Sequence, residues 1–493
     1  MGKRIFKFLF FVSFCTNVFA QQLVLPGDYP DPSVVKIGDT YWASATTSNW
    51  FPAYPLMKSK DLINWKQQGY VFNQLPKWAD FYFWAPEISY EKGKVYVYYA
   101  AHKKNGNLCV GVASADKPEG PYKDHGTLIC QEVGSIDAFP MRDENGKLYL
   151  IWKEDANSVQ KPTPIWAMQM NEARTALVGE KKELFRNTES WEGNLVEGVS
   201  MIKHGEYFYA FYAAAGCCGA GCSYMAGVAR SKKLLGPWEK YKEPVATNTD
   251  KWICPGHGTP VEKDGKHYFM YHAYDKQSNI FTGRQGLLIE YKFTPDGWIE
   301  FVRDSHPKNA VPVKNNFDDF NGKALADKWQ WSVFQKMNFK IKNGNLELYS
   351  YPDGFYIGQK IEAANYDATS VVDNQRSTAS AGIGIIGDDK NYVATFYKKG
   401  KIKCVQFKDG KEQTIIELPV MPKKEIFLKV KVSNSKNIDF YYSNNGQKFI
   451  SLNKEPIDAT YLPPWDRAVR VGLFSKGTKG EIAIFKNFEL HNR

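Results

Sequence analysis

The chain has 493 residues, more than a single hydrophobic core usually holds, so at least two domains are expected. Its formal net charge is +11, but the lysines and arginines are scattered singly and form no cluster that could follow a phosphate backbone, which argues against nucleic-acid binding. Aromatic residues make up 15% of the chain, and Gly, Asn and Asp are frequent between short apolar runs. This pattern predicts an all-β protein.

The chain begins with an apolar run that basic residues precede and interrupt. The run is shorter than a membrane-spanning helix needs, and Val18 to Ala20 form a small-residue cleavage site, so residues 1–20 are predicted to be a secretory signal peptide. The mature chain is then expected to be secreted or periplasmic, without a transmembrane segment. A lipid anchor on Cys15 is less favoured, because the bulky Phe14 precedes that cysteine.

Two aspartates, Asp28 and Asp31, stand just before the first predicted strand, Ser33 to Ile37. Proline fixes its own φ and restricts the residue before it. Asp31 lies between two prolines, so we expect it to be held by a rigid backbone. Aspartate is also a common turn residue, and Asp31 taken alone fits that role equally well.

Short aromatic-rich strands around a glycine turn recur along the chain, at spacings of roughly 50–60 residues. Five such units, each with about four strands, predict a five-bladed β-propeller over residues 21–311. The innermost strand of each blade lines a central channel, so the residues that begin these strands should face one another. The turn glycines are Gly38, Gly93, Gly146, Gly205 and Gly265.

Each unit carries a titratable residue six to nine positions before its turn glycine. Four of the five are carboxylates, and structural ion pairs rarely concentrate one sign of charge in this way. Crowded carboxylates push their pKa values apart, which yields an acid and a base from the same chemistry. The repeat therefore predicts a catalytic site at one mouth of the channel. Its members are Asp31, Glu87, Asp137, Glu197 and His257.

Trp50 and Phe51 lie on a loop in the first unit. Loops at a channel mouth often set specificity, and exposed aromatic rings stack on sugar faces, so both are predicted substrate contacts. A buried contact between blades is an equally good interpretation of either residue. His272, in the last unit, is interpreted as a core histidine rather than a ligand.

Seven cysteines follow the predicted leader, an odd number that does not indicate a disulfide scaffold. The segment GCCGAGC, from Gly216 to Cys222, has no spacing typical of a zinc site. The adjacent Cys217 and Cys218 either join as a rigid knuckle at the rim of the site or remain two free thiols.

The repeat stops near residue 312, and alternating strands separated by turns such as KNGN and KDGKE follow. About a dozen short strands predict a β-sandwich over residues 312–493. The loop Tyr351 to Lys360 is predicted to reach the site. The domain either binds glycan or braces the propeller, and bracing is favoured because no aromatic platform is evident.

In these motifs the sequence resembles glycoside hydrolase family 43, five-bladed propeller enzymes that remove arabinofuranose or xylose from plant polysaccharides. The second domain resembles the concanavalin-like jelly-roll that follows many propellers of this family. The resemblance covers residues 22–310 in the propeller and depends on six segments in the right order: YPDPSVV, FWAPEISYEKGKVYVYY, SIDAFPMRDENGKLYLIW, VEGVSMIKHGEYFYAFY, PGHGTPVEKDGKHYFMYH and GRQGLLIE.

The resemblance implies a role for three carboxyl groups. Asp31 would be the general base that activates water, Glu197 the general acid, and Asp137 the residue that orients the acid and raises its pKa. Members of the family invert the anomeric carbon, for which the base and acid should stand about 6.5–9.5 Å apart. The family often has proline where this chain has Val199.

The resemblance also implies supporting residues. Trp84 would form an apolar wall of the sugar pocket, and Arg284 would donate hydrogen bonds to the sugar or the acid. His257 would lie on the channel axis, near water or a bound ion that is often calcium in such enzymes. No cofactor is required, and Glu87 is interpreted as a supporting partner rather than a catalytic group.

The sequence thus predicts a secreted, monomeric, inverting glycosidase that releases terminal sugars from plant polysaccharide. An α-L-arabinofuranosidase is the first choice, and a β-xylosidase or galactosidase is the alternative on the same scaffold. A retaining fructosidase-like propeller is disfavoured, because its Arg-Asp-Pro triplet is replaced by Arg142 to Glu144. A catalytically inactive carbohydrate-binding protein is the alternative outside enzymes.

Overall fold

The computed structural model describes residues 21–302, 311–352 and 354–493, so the predicted leader lies outside the described residues. Within these ranges, nearly all regular structure is β, which confirms the predicted fold class. The exceptions are one short α-helix, α1, at Asn279–Thr282, and two turns of 3-10 helix at Ala156–Val159 and Ser190–Glu192. None of the described helices is long or apolar enough to cross a bilayer.

The first domain consists of five antiparallel sheets that follow one another along the chain. The innermost strands contact each other in a closed ring, in the order β2, β7, β11, β15, β19 and back to β2, which confirms the five-bladed propeller. The strands are β1 (Gln22–Leu25), β2 (Ser33–Ile37), β3 (Thr40–Ser44), β4 (Trp50–Phe51), β5 (Ala53–Ser59), β6 (Lys66–Phe72), β7 (Ala79–Glu91), β8 (Lys94–Lys103), β9 (Leu108–Ala115), β10 (Lys123–Cys130), β11 (Ser135–Arg142), β12 (Leu148–Glu154), β13 (Ile165–Met170), β14 (Leu177–Phe185), β15 (Val196–His204), β16 (Tyr207–Ala214), β17 (Met225–Ser231), β18 (Glu239–Lys240), β19 (Trp252–Lys263), β20 (Lys266–Asp275), β21 (Arg284–Phe293) and β22 (Ile299–Phe301).

Blades one to four each take four strands, and blade five contains β19, β20 and β21. Both β1 and β22 pair with β21, so the strand nearest the start of the described chain completes the last blade. This pairing joins the two ends of the propeller and covers an edge that would otherwise be open.

The predicted glycine turns form tight hairpins between the first two strands of a blade. In blade two, Lys92 and Gly93 both have positive φ, and in blade five Asp264 and Gly265 do so as well. Positive φ at both central residues defines the type I′ turn, whose twist matches that of the flanking strands. The register of each hairpin therefore follows directly from its turn residues.

The innermost strands lose regular register where the predicted site residues stand. The pairing of β11 shifts around Asp137, that of β15 shifts just after Glu197, and that of β19 shifts around His257. Asp31, Asp137 and His257 also have φ values of 49°, 57° and 38°. Bulges and left-handed residues re-aim a side chain, and strained backbone clusters at functional sites. Local backbone geometry thus turns these side chains towards the channel.

Apolar side chains fill the space between neighbouring blades. Between blades three and four, Phe139 and Ile151 pack in one cluster with Phe208 and Tyr212. Each cluster draws on two sheets, so a blade is stabilised mainly by its neighbours.

The second domain packs two antiparallel sheets, of nine and six strands, around one apolar core, which confirms the predicted β-sandwich. The six-stranded sheet has the order β27-β37-β29-β30-β31-β32. The predicted boundary at residue 312 stays a prediction, since residues 303–310 are not described. The strands are β23 (Asn316–Asp318), β24 (Trp331–Ser332), β25 (Phe339–Ile341), β26 (Leu346–Tyr349), β27 (Phe355–Gln359), β28 (Tyr366–Asp373), β29 (Ser380–Asp388), β30 (Asn391–Lys398), β31 (Lys401–Lys408), β32 (Lys411–Pro419), β33 (Glu425–Ser433), β34 (Asn437–Ser443), β35 (Ile450–Ser451), β36 (Ile457–Asp458), β37 (Arg470–Lys476) and β38 (Ile482–Asn492).

The two domains share a small sheet, in which β4 of the propeller pairs with β24 of the sandwich. Trp50 is buried, with Arg470 over its ring and Tyr356 at its edge, and Phe51 packs edge-on against Trp331. The prediction that Trp50 and Phe51 contact sugar is therefore wrong. Both rings are occupied by the domain interface, and neither lines the cavity described below.

A buried ion pair also joins the domains. Arg470 of β37 donates a hydrogen bond from Nη1 to Oδ2 of Asp28 at 3.2 Å, and both side chains are almost fully buried. Of the two aspartates that precede the first blade, Asp28 thus serves the domain interface.

Candidate active site

A cavity of about 500 Å³ opens at the mouth of the propeller channel. Six of the predicted site residues line it: Asp31, Trp84, Asp137, Glu197, His257 and Arg284. Glu87 does not line it. Its carboxyl group accepts a hydrogen bond from Thr259 at 3.3 Å, and burial raises its pKa well above the usual range, which agrees with a supporting position.

Asp31 is a buried carboxylate held in its ionised form. Arg284 donates from Nη1 to Oδ1 at 2.9 Å, and Thr46 donates its hydroxyl to Oδ2 at 2.7 Å. The backbone N–H of Asp31 donates to Nδ1 of His272 at 3.0 Å, so this histidine is a supporting core residue. Burial alone would raise the pKa of Asp31, but Arg284 and His257 outweigh it and lower the pKa to about 2.

Asp137 has the opposite electrostatic environment. Burial, together with the nearby charge of Glu197, raises the pKa of Asp137 to about 6, against the lowering effect of His257. Oδ2 of Asp137 accepts a hydrogen bond from the backbone N–H of Gly198 at 2.9 Å, which ties it to the residue after Glu197. The sequence had instead predicted that Asp137 raises the pKa of Glu197.

Glu197 is fixed by two hydrogen bonds. Oε2 accepts from Nζ of Lys153 at 2.6 Å, and Oε1 accepts from the hydroxyl of Tyr224 at 2.7 Å. Lys153 also donates to Asp155 at 2.8 Å. Burial alone would lower the pKa of Lys153, but Glu197 and Asp155 raise it above the ordinary value, so the amine stays charged.

Lys153 was missed in the sequence. It stands at the end of the second strand of blade three, in LYLIWKE, and is 1% exposed. A lysine that directly follows the apolar part of a strand is an unusual feature when it is buried, because buried lysines are rare unless they are paired. This pattern could have marked Lys153 as unusual, but it does not reveal that Glu197 is its partner.

His257 lies between two of the carboxylates. Its Nδ1 is 3.6 Å from Oδ1 of Asp31 and 3.9 Å from Oδ2 of Asp137. Gly198 lies directly against the imidazole, and a Cβ there would stand 2.8 Å from Cγ of His257, so glycine is needed after Glu197.

A calcium ion at His257 stays a prediction. In the part of the chain that the structure describes, no group of three or more His, Cys, Asp or Glu side chains is arranged to hold a metal ion. Calcium takes six to eight oxygen ligands, and the described side chains do not supply such a set. We therefore assign no catalytic step to a metal.

The sandwich domain completes the cavity through Trp465 and Asp466. Trp465 meets Trp84 edge-to-face, with 5.7 Å between ring centroids. The carboxyl group of Asp466 accepts from Nε1 of Trp84 at 3.2 Å and from the hydroxyl of Ser48, and its carbonyl accepts from Nη2 of Arg284 at 3.0 Å. The second domain therefore helps to place two residues of the propeller.

The prediction that the loop Tyr351 to Lys360 reaches the site is wrong for the described residues of that loop. Half of that segment is β27, a buried strand of the six-stranded sheet, and none of its described residues lines the cavity. The contact comes instead from a loop that precedes β37, where nothing in the local sequence marks it.

Three disulfides occur among the described residues: Cys109–Cys130, Cys217–Cys218 and Cys222–Cys254. Cys404 is a buried free thiol. Of the two interpretations of Cys217 and Cys218, the structure thus has the joined pair, and both residues line the cavity.

The cavity therefore combines Asp31, which is held ionised, with Asp137, whose pKa is raised to about 6. An ionised base and a protonated acid in one pocket are the two groups that hydrolysis of a glycosidic bond requires. Aromatic rings beside them provide apolar surfaces for a sugar.

Comparison with known proteins gives a family match for each domain. Residues 20–299 match Glycosyl hydrolases family 43, and residues 317–491 match the beta xylosidase C-terminal concanavalin A-like domain. A xylan 1,3-beta-xylosidase of a Vibrio species is 28% identical over 402 residues, which are 70% of this chain and 72% of that protein. The non-reducing end alpha-L-arabinofuranosidase BoGH43B of Bacteroides ovatus is 25% identical over 75% of this chain and 74% of its own. The crystal structure of the GH43 protein BlXynB from Bacillus licheniformis matches with a TM-score of 0.81 at 25% identity, over 96% of this chain and 100% of that one.

Proposed function

The chain belongs to glycosyl hydrolase family 43, and on that basis we propose that it is a secreted, exo-acting enzyme that removes terminal α-L-arabinofuranosyl groups from plant polysaccharide. The observation that carries the proposal is the contrast between the carboxyl groups of one cavity. Asp31 is held ionised by Arg284 and Thr46, while burial and the nearby charge of Glu197 raise the pKa of Asp137.

The proposed reaction is a single displacement with inversion. Asp31 accepts a proton from a water molecule as the water oxygen bonds to the anomeric carbon, and Glu197 donates its proton to the departing glycosidic oxygen. Asp31 ends protonated and Glu197 ionised, and proton exchange with solvent restores both. The buried ammonium of Lys153 stabilises the carboxylate that forms on Glu197.

The shape of the cavity supports action at a chain end. Trp84 of the propeller and Trp465 of the sandwich stand edge-to-face at its wall, and the volume of about 500 Å³ is that of a pocket for a small ligand. An endo-acting enzyme would need an open groove that accepts a polymer on both sides of the cleaved bond.

Terminal β-xylosyl groups are the second candidate substrate. This alternative is favoured by the relative named xylan 1,3-beta-xylosidase and by the domain name that residues 317–491 match. The relative named alpha-L-arabinofuranosidase supports the first candidate over a similar share of the chain.

Secretion is supported by two independent features. The predicted signal peptide over residues 1–20 directs export. The three disulfides are typical of an oxidising compartment and rare in the cytosol.

A panel of nitrophenyl glycosides tests the proposal. We expect hydrolysis of the α-L-arabinofuranoside, a lower rate on the β-xyloside, and no measurable rate on the β-galactoside. Proton NMR of the first-formed sugar should give the anomer opposite to that of the substrate. Absence of hydrolysis across the panel, together with calorimetric binding of the same sugars, would instead indicate a carbohydrate-binding protein.

A further inference from the structure

Residues 215–224, here called the disulfide loop, connect β16 to β17 and carry two covalent links. Cys217 is bonded to its neighbour Cys218, and Cys222 is bonded to Cys254 at the start of β19. Cys218 has a φ of +81°, in the left-handed region that residues other than glycine rarely adopt. The loop is therefore fixed by two disulfides at a point where its backbone conformation is unfavourable.

One end of the disulfide loop contacts the partner of the base. Nη1 of Arg284 donates to Sγ of Cys217 at 3.7 Å, and the same nitrogen donates to Oδ1 of Asp31 at 2.9 Å. Nη2 donates to the carbonyl of Asp466 at 3.0 Å. The sulfur is thus one of three groups that define the position of the guanidinium.

The other end of the disulfide loop contacts the acid. Tyr224 donates its hydroxyl to Oε1 of Glu197 at 2.7 Å. Its ring also stacks on His272, with 5.8 Å between ring centroids, and His272 accepts the backbone N–H of Asp31. A single loop of ten residues therefore supports both carboxyl groups of the proposed displacement.

Between its two ends, the disulfide loop forms part of the cavity wall. Cys217 and Cys218 are only half-buried, and both line the cavity. Gly219 packs on the sandwich loop, where a Cβ would stand 3.3 Å from the carbonyl oxygen of Trp465. Cysteine sulfur is soft and polarisable and behaves as a small apolar group. The pair therefore presents a surface against which the C–H face of a sugar ring can pack.

We propose that the Cys217–Cys218 disulfide is a specificity-determining element of this pocket, which contacts the sugar ring and holds Arg284 against Asp31. The inference rests on the proposed glycosidase activity. It assigns two roles to one link: a direct contact with substrate, and a positioning role that acts through Arg284.

The double variant Cys217→Ala with Cys218→Ala tests both roles. Loss of the apolar contact should raise KM about tenfold, as the absence of one apolar group in a pocket does. Loss of the sulfur partner should free Arg284, so the acid limb of kcat/KM should move to higher pH. Asp31 accepts a hydrogen bond from Thr46, and Arg284 is the group facing it that contacts the sulfur. The titratable and charged groups that face Asp31 are Arg284, His257, His272, Asp137, Tyr224 and Tyr274.

Two matched variants separate these roles from general stability. Cys109→Ala with Cys130→Ala removes a disulfide of blade two that does not line the cavity, and should leave KM and the pH profile unchanged. Cys218→Ala alone breaks the link but leaves a sulfur beside Arg284. It should raise KM while keeping the acid limb near that of the wild type. If the double variant does not fold, this single variant carries the test.

Three results would overturn the inference. The first is a wild-type protein whose unreduced peptide mass shows two free thiols at Cys217 and Cys218. The second is an unchanged KM in both the double and the single variant. The third is the same change in KM and pH profile in the blade-two control. A wild-type enzyme that is inactive on every glycoside would instead count against the proposed function.

Discussion

Replacement of Glu197 by glutamine removes the proposed proton donor with little change in packing. Glu197 receives hydrogen bonds from Lys153 and Tyr224. An amide oxygen can still accept from the ammonium, and an amide nitrogen can donate to the tyrosine oxygen, which also accepts. Lys153 keeps Asp155 as a carboxylate partner at 2.8 Å. The variant should therefore fold with a melting temperature close to that of the wild type.

The expected loss depends on the leaving group. General acid catalysis contributes about 10²–10⁴-fold, which corresponds to about 3–5 kcal/mol in the activation barrier. A loss of that size is expected for an arabinoside with an unactivated alcohol as leaving group, because the departing oxygen needs a proton. A dinitrophenyl leaving group departs as a stable anion, so the same variant should lose much less on that substrate.

The test compares the initial rates of the wild type and Glu197→Gln on the two substrates. Glu87→Gln is the matched control, because Glu87 is a buried carboxyl group on an inner strand, β7, and does not line the cavity. Burial raises the pKa of Glu87, so a neutral amide should replace it with little effect on either rate. Equal losses on both substrates for Glu197→Gln, or no loss on either, would refute the assignment of Glu197 as the acid.

Three further predictions concern charge. The kcat/KM of the wild type should fall as pH rises above about 6, where Asp137 loses its proton and a second negative charge develops beside Glu197. A rate that keeps rising above neutral pH in buffered initial-rate assays would contradict this. Lys153→Met removes a positive charge that lowers the pKa of Asp137, so this falling limb should move to higher pH. The same variant leaves buried carboxylates without a countercharge, so its free energy of unfolding in urea should be lower by about 3–5 kcal/mol. Asp28→Asn leaves Arg470 buried without its countercharge, so the free energy of unfolding should fall by about 3–5 kcal/mol. The control Asp264→Asn, on the surface, should leave the urea midpoint unchanged.

Much of the fold could be predicted because the sequence patterns that determine its strands and turns are local. The hairpins depend on pairs such as Asp264 and Gly265, whose positive φ values fix the turn and the register of the two strands. The repeat of that hairpin indicated the number of blades. Because every blade places its first strand on the channel, a residue at the head of one unit must lie near those at the heads of the others. This symmetry is why Asp31, Asp137 and Glu197 could be grouped from the sequence.

The remaining features depend on contacts that no local pattern encodes. Trp50 and Phe51 are aromatic residues of the kind that often bind sugars. Packing of the sandwich against the propeller buries them in the domain interface instead. Docking also supplies Trp465 and Asp466 to the cavity.

The sequence by itself determined the blades, the sandwich and the carboxyl groups at the heads of the inner strands, because turn chemistry and strand alternation act over a few residues. Only the tertiary structure decided which aspartate serves the interface and which lysine pairs with Glu197. The bond between Ser48 and Asp466 joins residues 418 positions apart. Such contacts arise only when ring closure and domain packing bring distant segments together, and the side chains involved are selected by that geometry rather than by their neighbours in the chain.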